Sequence, residues 1–176
     1  MLHCEQKTLP AGMLPAENGE ESEGGCCRRR HSREVSEMAS VKLSEVIEKE
    51  KLINLTPEID VTKIKIKQPD INRPAVQLTG YFEHFDAARI QILGFVEYSY
   101  MAYMTPERKE EIYDQLFAKG CPCFIFCREL QPDEIFLKYS AKYGVPVFQT
   151  KQSTSVFMAE LIRWMNVRLA PCISIH

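Results

Sequence analysis

From residue 39 onward, apolar and polar positions fall into short blocks, some with helical spacing and others apolar throughout. Ser40 is a helix-capping type of residue, and Leu43, Val46, Ile47 and Glu50 follow at spacings of three and four. This predicts a short amphipathic helix over Val41 to Lys51. Pro57 breaks the chain, and Val61 to Lys67 then alternates apolar with polar positions, predicting a half-exposed or edge strand. Gln68 to Phe85 is interrupted by Pro69, Pro74 and Gly80 and reads as an irregular loop, the kind of segment that carries function. Ile90 to Leu93, closed by Gly94, predicts a compact strand, and Val96 to Met104 is apolar enough for a buried helix. Thr105-Pro106-Glu107 supplies an N-cap, a proline at the first helical position and an early acid. It opens a helix through Ile112, Leu116 and Phe117 that stops at Gly120.

Beyond Gly120 the pattern predicts a strand over Cys123 to Cys127, a helix over Pro132 to Tyr143 ended by Gly144, a strand over Val145 to Gln149 and a helix from Ser153 to Leu169. Strands without polar alternation are covered on both faces, and a strand-helix-strand succession implies parallel, right-handed crossovers. Phe157, Leu161, Met165 and Leu169 form a stripe at four-residue steps that docks the last helix on the sheet. The expected fold class is α/β, a three-layer α/β/α sandwich with a mainly parallel sheet.

A length of 176 residues suits one domain plus an extension. Residues 1–38, with Glu20-Glu21-Ser22-Glu23-Gly24-Gly25 before Arg28-Arg29-Arg30, lack a hydrophobic period and are expected to form a disordered extension. Met38 is a candidate start codon. The α/β domain is expected over 39–172, and residues 173–176 look like the beginning of a further strand.

A net charge of −2 and a pI near 6.1 provide no basic field for nucleic acid or anionic lipid, so neither partner is expected. No apolar run approaches the roughly 20 residues of a membrane span, and Glu5, Gln6 and Lys7 interrupt any leader; a cytoplasmic location is expected. The seven cysteines are irregularly spaced and are expected to be free thiols, with no metal site.

The sequence contains no G-x-x-x-x-G-K-[ST], no G-x-G-x-x-G and no G-x-S-x-G, the signatures of phosphate loops, dinucleotide sites and nucleophile elbows. Lys151-Gln152-Ser153-Thr154-Ser155 opens a helix directly after a predicted parallel strand, where ligands of open α/β sheets sit. Lys151, Ser153 and Thr154 are therefore candidate ligands for a small anion, beside the plainer reading that Ser153 or Thr154 only caps the helix. Asn72 and Arg73, in the broken loop, are candidates to grip a phosphate or carboxylate, or equally to tie the loop to its own backbone. His84 has no companion at telling spacing.

Five separated blocks then carry a resemblance: Pro69-Asp70-Ile71-Asn72-Arg73-Pro74, Leu78-Thr79-Gly80-Tyr81-Phe82, Arg89-Ile90-Gln91-Ile92-Leu93-Gly94, Lys151-Gln152-Ser153-Thr154-Ser155, and Leu169-Ala170-Pro171 with Ile175-His176. From about Ser40 to His176 the chain resembles the amino-terminal domain of bacterial HPr kinase/phosphorylase. The resemblance implies an α/β domain similar to the amino-terminal domain of the Mur ligases, followed by a P-loop kinase domain. Such an enzyme phosphorylates a serine of the phosphocarrier HPr and reverses the step, using Mg with ATP or pyrophosphate, as a cytoplasmic homohexamer in carbon catabolite control. It also implies an active-site role for His176. The family's phosphate loop, Mg-binding acids and acid-base aspartate have no counterpart here, so the sequence looks truncated just before the kinase domain. The expectation is a regulatory and assembly domain without kinase activity of its own; the alternative is a stand-alone α/β module binding a small anionic ligand such as a sugar phosphate.

Overall fold

A computed structural model of the chain describes residues 39–170. The expected extension over residues 1–38, Cys172, and the expected strand start at 173–176 with His176 lie outside the described residues.

Side-chain alternation on three short strands, β5 (Ile90–Leu93), β6 (Phe124–Phe126) and β7 (Val147–Gln149), sets the layering. Ile92, Ile125 and Phe148 stand in register across the sheet and point to one face. There they meet Leu43 and Val46 of α1 (Leu43–Glu50) and Phe157, Leu161 and Met165 of α5 (Thr154–Leu169). Leu93, Phe124, Phe126 and Val147 point to the other face, against α2 (Phe95–Tyr103), α3 (Pro106–Ala118) and α4 (Glu134–Tyr143). Both faces being covered, these strands need no alternating polar side, and their two polar residues, Gln91 and Gln149, are themselves buried. The result is the expected three-layer sandwich. Its five-stranded sheet has the order β2-β7-β6-β5-β4, in which β4 (Ile71–Asn72), β5, β6 and β7 are parallel and β2 (Ile53–Asn54) is antiparallel to β7.

The start of the domain departs from the sequence reading. Val41–Lys42 form a strand, β1, paired antiparallel with β3 (Lys65–Ile66), so the first helix begins only at Leu43. Of the stretch Val61 to Lys67 only Lys65–Ile66 is extended; Thr62 donates its N–H to Asp60 Oδ1 at 2.9 Å and Ile64 to Val61 O at 3.3 Å, bending the chain into turns. This ribbon is separate from the main sheet. A second correction concerns α2, which is not a buried helix: only Glu97 and Met101 are buried, while Phe95, Val96, Tyr100 and Tyr103 are exposed. Buried positions four apart make one narrow stripe, flanked by the half-buried Tyr98, so Phe95, Val96, Tyr100 and Tyr103 stand in solvent.

Helix ends follow local chemistry. The Thr105 hydroxyl accepts the Arg108 N–H at 3.3 Å, with Pro106 at the first helical position. Asp133 caps α4 by accepting the Phe136 N–H at 2.9 Å, so this helix starts at Glu134 and not at Pro132. The same carboxylate accepts from Lys109 Nζ at 2.8 Å and from the Tyr113 hydroxyl at 3.1 Å, tying α3 to α4.

Glu50, at the end of α1, has a side chain only 1% exposed. Its Oε1 accepts no hydrogen bond, and Lys49 Nζ is 3.7 Å away. Burial pushes the carboxyl above its ordinary value of 4.5, with Lys49 pulling the other way. A carboxyl raised on folding contributes stability that is complete below the unfolded value and lost as pH rises through the folded one. Glu50→Gln is therefore expected to lose less stability than the parent between about pH 4 and 7, measured by urea unfolding at each pH. Parallel curves for the two proteins would contradict the assignment.

Candidate functional site

The carboxyl ends of the four parallel strands lie along one edge of the sheet, the edge where open α/β sheets place their ligands. Each strand delivers a different group there. β4 runs into Arg73, β5 into Gly94 and α2, β6 into Cys127-Arg128, and β7 into the loop before α5. Arg73, Arg128, Thr154 and Ser155 line a cleft of about 530 Å³, and Phe95, Val96 and Met158 provide apolar wall.

Gly94 makes this convergence possible. A Cβ at that position would stand 2.6 Å from Thr154 Oγ1 and 3.3 Å from Arg73 Nη2, so only a residue without a side chain lets the starts of α2 and α5 approach. Glu97, whose side chain is 2% exposed, organises the same place. Its Oε2 accepts the Gly94 N–H at 2.9 Å and Arg73 Nη2 at 2.8 Å.

Arg128 and Glu129 have φ of 61° and 55°, left-handed backbone that costs a non-glycine residue roughly 1–2 kcal/mol each. Two backbone bonds hold the turn: Arg128 N–H donates to Gln152 O at 3.0 Å and Glu129 N–H to Thr150 O at 2.9 Å. Among the described residues, no carboxylate forms an ion pair with Arg128.

The structure distributes the sequence candidates unevenly. Arg73 and Thr154 share the cleft. Asn72 does not line it; its Nδ2 donates to Gln91 Oε1 at 2.7 Å, and Gln91 Nε2 donates to Arg89 O at 2.8 Å, so Asn72 ties β4 to β5. Lys151 points elsewhere, its Nζ 3.3 Å from Glu129 Oε1 and its side chain 76% exposed. Ser153 stands at the N-cap of α5 with an extended backbone, but its side chain makes no capping hydrogen bond. Arg128, Gly94 and Glu97 escaped the sequence reading. Arg128 follows directly on an apolar strand, a position that signals a ligand edge; Glu97 looks like an ordinary first-turn acid until the fold brings Arg73 to it.

Cys121, Cys123 and Cys127 are buried free thiols. Burial pushes the Cys121 thiol up to about 12 and raises those of Cys123 and Cys127; at Cys127 a hydrogen bond from Thr154 and the charge of Arg73 oppose the rise. Thiolate being the reactive form, iodoacetamide at about pH 8 is expected to leave all three unmodified in the folded chain and to label them after unfolding, as read by peptide mass mapping. Native labelling of any of the three would contradict this. Among the described residues no group of three His, Cys, Asp or Glu is placed to hold a metal ion, and no helix is long and apolar enough to cross a membrane.

A second hollow, of about 450 Å³, lies at the opposite edge, where Ala88, Cys121 and Val145 lead into the strands. Its polar lining is Lys65, Lys67 and Tyr143, with no helix start among them.

The family described as HPr Serine kinase N terminus matches residues 41–165. The HPr kinase/phosphorylase of Lachnoclostridium phytofermentans is 49% identical over 139 residues, covering 79% of this chain and 45% of the relative. That of Caldicellulosiruptor bescii is 39% identical over 134 residues, covering 76% and 43%, and that of Lactobacillus acidophilus 36% identical over 138 residues, covering 77% and 43%. The chain thus spans less than half the length of these curated relatives. The regulatory region of Clostridium perfringens pyrophosphatase, with CBS and DRTGG domains, superimposes with a TM-score of 0.47 at 15% identity over 74% of this chain and 47% of that one, too loosely to bear on the site. By the extent of the family match and the identity to these relatives, the chain belongs to the HPr serine kinase N-terminal family.

Proposed function

We propose that this domain is the regulatory and assembly part of an HPr kinase/phosphorylase, acting through contact and control and not through phosphoryl transfer of its own. The observation that carries this reading is the family match over a unit with its own two-sided core, in a sequence of 176 residues without a phosphate loop. Transfer of a phosphoryl group depends on positioning and charge stabilisation by a phosphate cradle and metal-binding acids, which these residues do not supply. The whole enzyme would act on a serine of HPr in the bacterial cytoplasm, with Mg and ATP or pyrophosphate as its donor system, as a homohexamer, and His176 would stand at the start of its kinase part.

A role in assembly is supported by α2. Phe95, Val96, Tyr100 and Tyr103 are 62%, 66%, 42% and 89% exposed on a single nine-residue helix, an apolar surface of the kind that mates with protein. Incubated with Mg-ATP and HPr, the 176-residue chain is expected to transfer no phosphate above a protein-free control. In an enzyme containing this domain, Tyr100→Asp with Tyr103→Asp is expected to lower the oligomer mass seen by light scattering. Phosphoryl transfer by the chain alone, or an unchanged oligomer mass in the double variant, would overturn the reading.

A further inference from the structure

The cleft at the carboxyl edge of the sheet combines positive charge, unused hydrogen-bond donors and an apolar wall. Arg128 brings a guanidinium with no ion-pair partner among the described residues, on a left-handed turn held by two backbone bonds. Arg73 gives Nη2 to Glu97, yet its side chain remains 39% exposed within the cleft. The charges of Arg73 and Glu97 balance, so Arg128 leaves the cleft net positive. At the start of α5, a helix of 16 residues, the Ser153 side chain caps no N–H, so the first-turn amides beside Thr154 and Ser155 have no side-chain acceptor. Backbone bonding pins the Arg128 turn to the loop that leads into this helix, which puts the guanidinium and the amides in one place.

We infer that this cleft is a binding site for a phosphate monoester, its phosphate held by Arg128, the free side of Arg73 and the first turn of α5, and its organic part lying on Phe95, Val96 and Met158. Planar guanidinium forks and a ring of N–H donors match the three terminal oxygens of a phosphate monoester better than the two of a carboxylate. A volume of about 530 Å³ far exceeds one phosphate and falls in the range of small-molecule sites. Apolar lining on the far side favours a planar or apolar body over a hydroxyl-rich one, since burying hydroxyls without partners is costly. Phe95 and Val96 belong to both surfaces, but Tyr100 and Tyr103, which carry the oligomer test, lie outside the cleft, and Arg128 serves only the cleft, so the failure of the site and that of the assembly reading are separate outcomes.

Calorimetric titration of the full 176-residue chain at low ionic strength, with phenyl phosphate, glucose 6-phosphate and inorganic phosphate as the three probes, tests the site. Phenyl phosphate is expected to bind about tenfold more tightly than inorganic phosphate, and more tightly than glucose 6-phosphate. Arg128→Gly is the informative variant, because glycine is at home at a φ of 61° and the substitution removes the guanidinium without straining the turn. It is expected to weaken phenyl phosphate about tenfold or more with an unchanged melting temperature, the loss of a charge-assisted hydrogen bond. Lys151→Ala, paired with Glu129 away from the cleft, is expected to change affinity by less than about twofold. Absence of saturable phenyl phosphate binding, or equal affinity in parent and Arg128→Gly, would overturn the site. Tighter binding of glucose 6-phosphate than of phenyl phosphate would overturn the placement of the organic part on the apolar wall.

Discussion

Replacing Phe136 by alanine is expected to remove about 3–5 kcal/mol from the unfolding free energy, the usual cost of truncating a fully buried phenylalanine. Phe136 is the hub of the aromatic core beneath α3 and α4. Its ring centroid lies 5.0 Å from Tyr113, 4.8 Å from Phe117, 5.3 Å from Phe124 and 5.2 Å from Phe126, all edge-on. Edge-to-face pairs add to simple burial, and the four rings come from a helix and a strand that cannot collapse together to refill the space. Set against a total stability of about 5–15 kcal/mol for an ordinary domain, the loss is a large share of the margin that keeps the chain folded. Urea unfolding followed by far-ultraviolet circular dichroism measures it. A loss below about 1 kcal/mol would show that this layer is loosely packed.

The second large effect belongs to Glu97. Truncation to alanine strips the Gly94 N–H of its acceptor and Arg73 of its partner in one step. A buried N–H left unmatched costs about 1–3 kcal/mol, whereas the Arg73 pair contributes less because solvent reaches that guanidinium. The sum expected for Glu97→Ala is about 2–3 kcal/mol. Glu97→Gln, which keeps an oxygen in place, is expected to lose about half as much. A double-mutant cycle with Arg73→Ala separates the two parts, since only the portion due to the ion pair disappears when Arg73 is already absent. Equal losses for Glu97→Ala with and without Arg73 would place the whole effect in the cap of α2.

Both residues illustrate what can be seen along a chain. Phe136 lies in the stretch Pro132 to Tyr143 whose pattern predicts a helix, and that pattern singles out no one position as its anchor. Nothing in it says that five aromatic rings meet there. Glu97 is a first-turn acid three residues past a glycine, a local signal for a helix start, and the ligand-edge position of Arg73 is legible only as a broken loop. Their meeting across 24 positions is invisible locally. Lys151 shows the reverse case. Its place after a strand made it a candidate, but side-chain direction and the nearby Glu129 carry it out of the cleft.

Sequence by itself determined the fold class, the order of strands and helices from Ile90 onward, and the caps at Thr105 and Gly144, because each of these depends on neighbours within a few residues: hydrophobic period, turn conformation and terminal hydrogen bonds. Tertiary structure alone decided that Val41–Lys42 pairs with Lys65–Ile66 instead of starting a helix, that α2 leaves Phe95, Val96, Tyr100 and Tyr103 in solvent, and that Arg73, Arg128 and Thr154 share one cleft. Those outcomes turn on which segments the sheet brings side by side, and pairing over tens of residues is selected by the packing of the whole and not by the preference of any part.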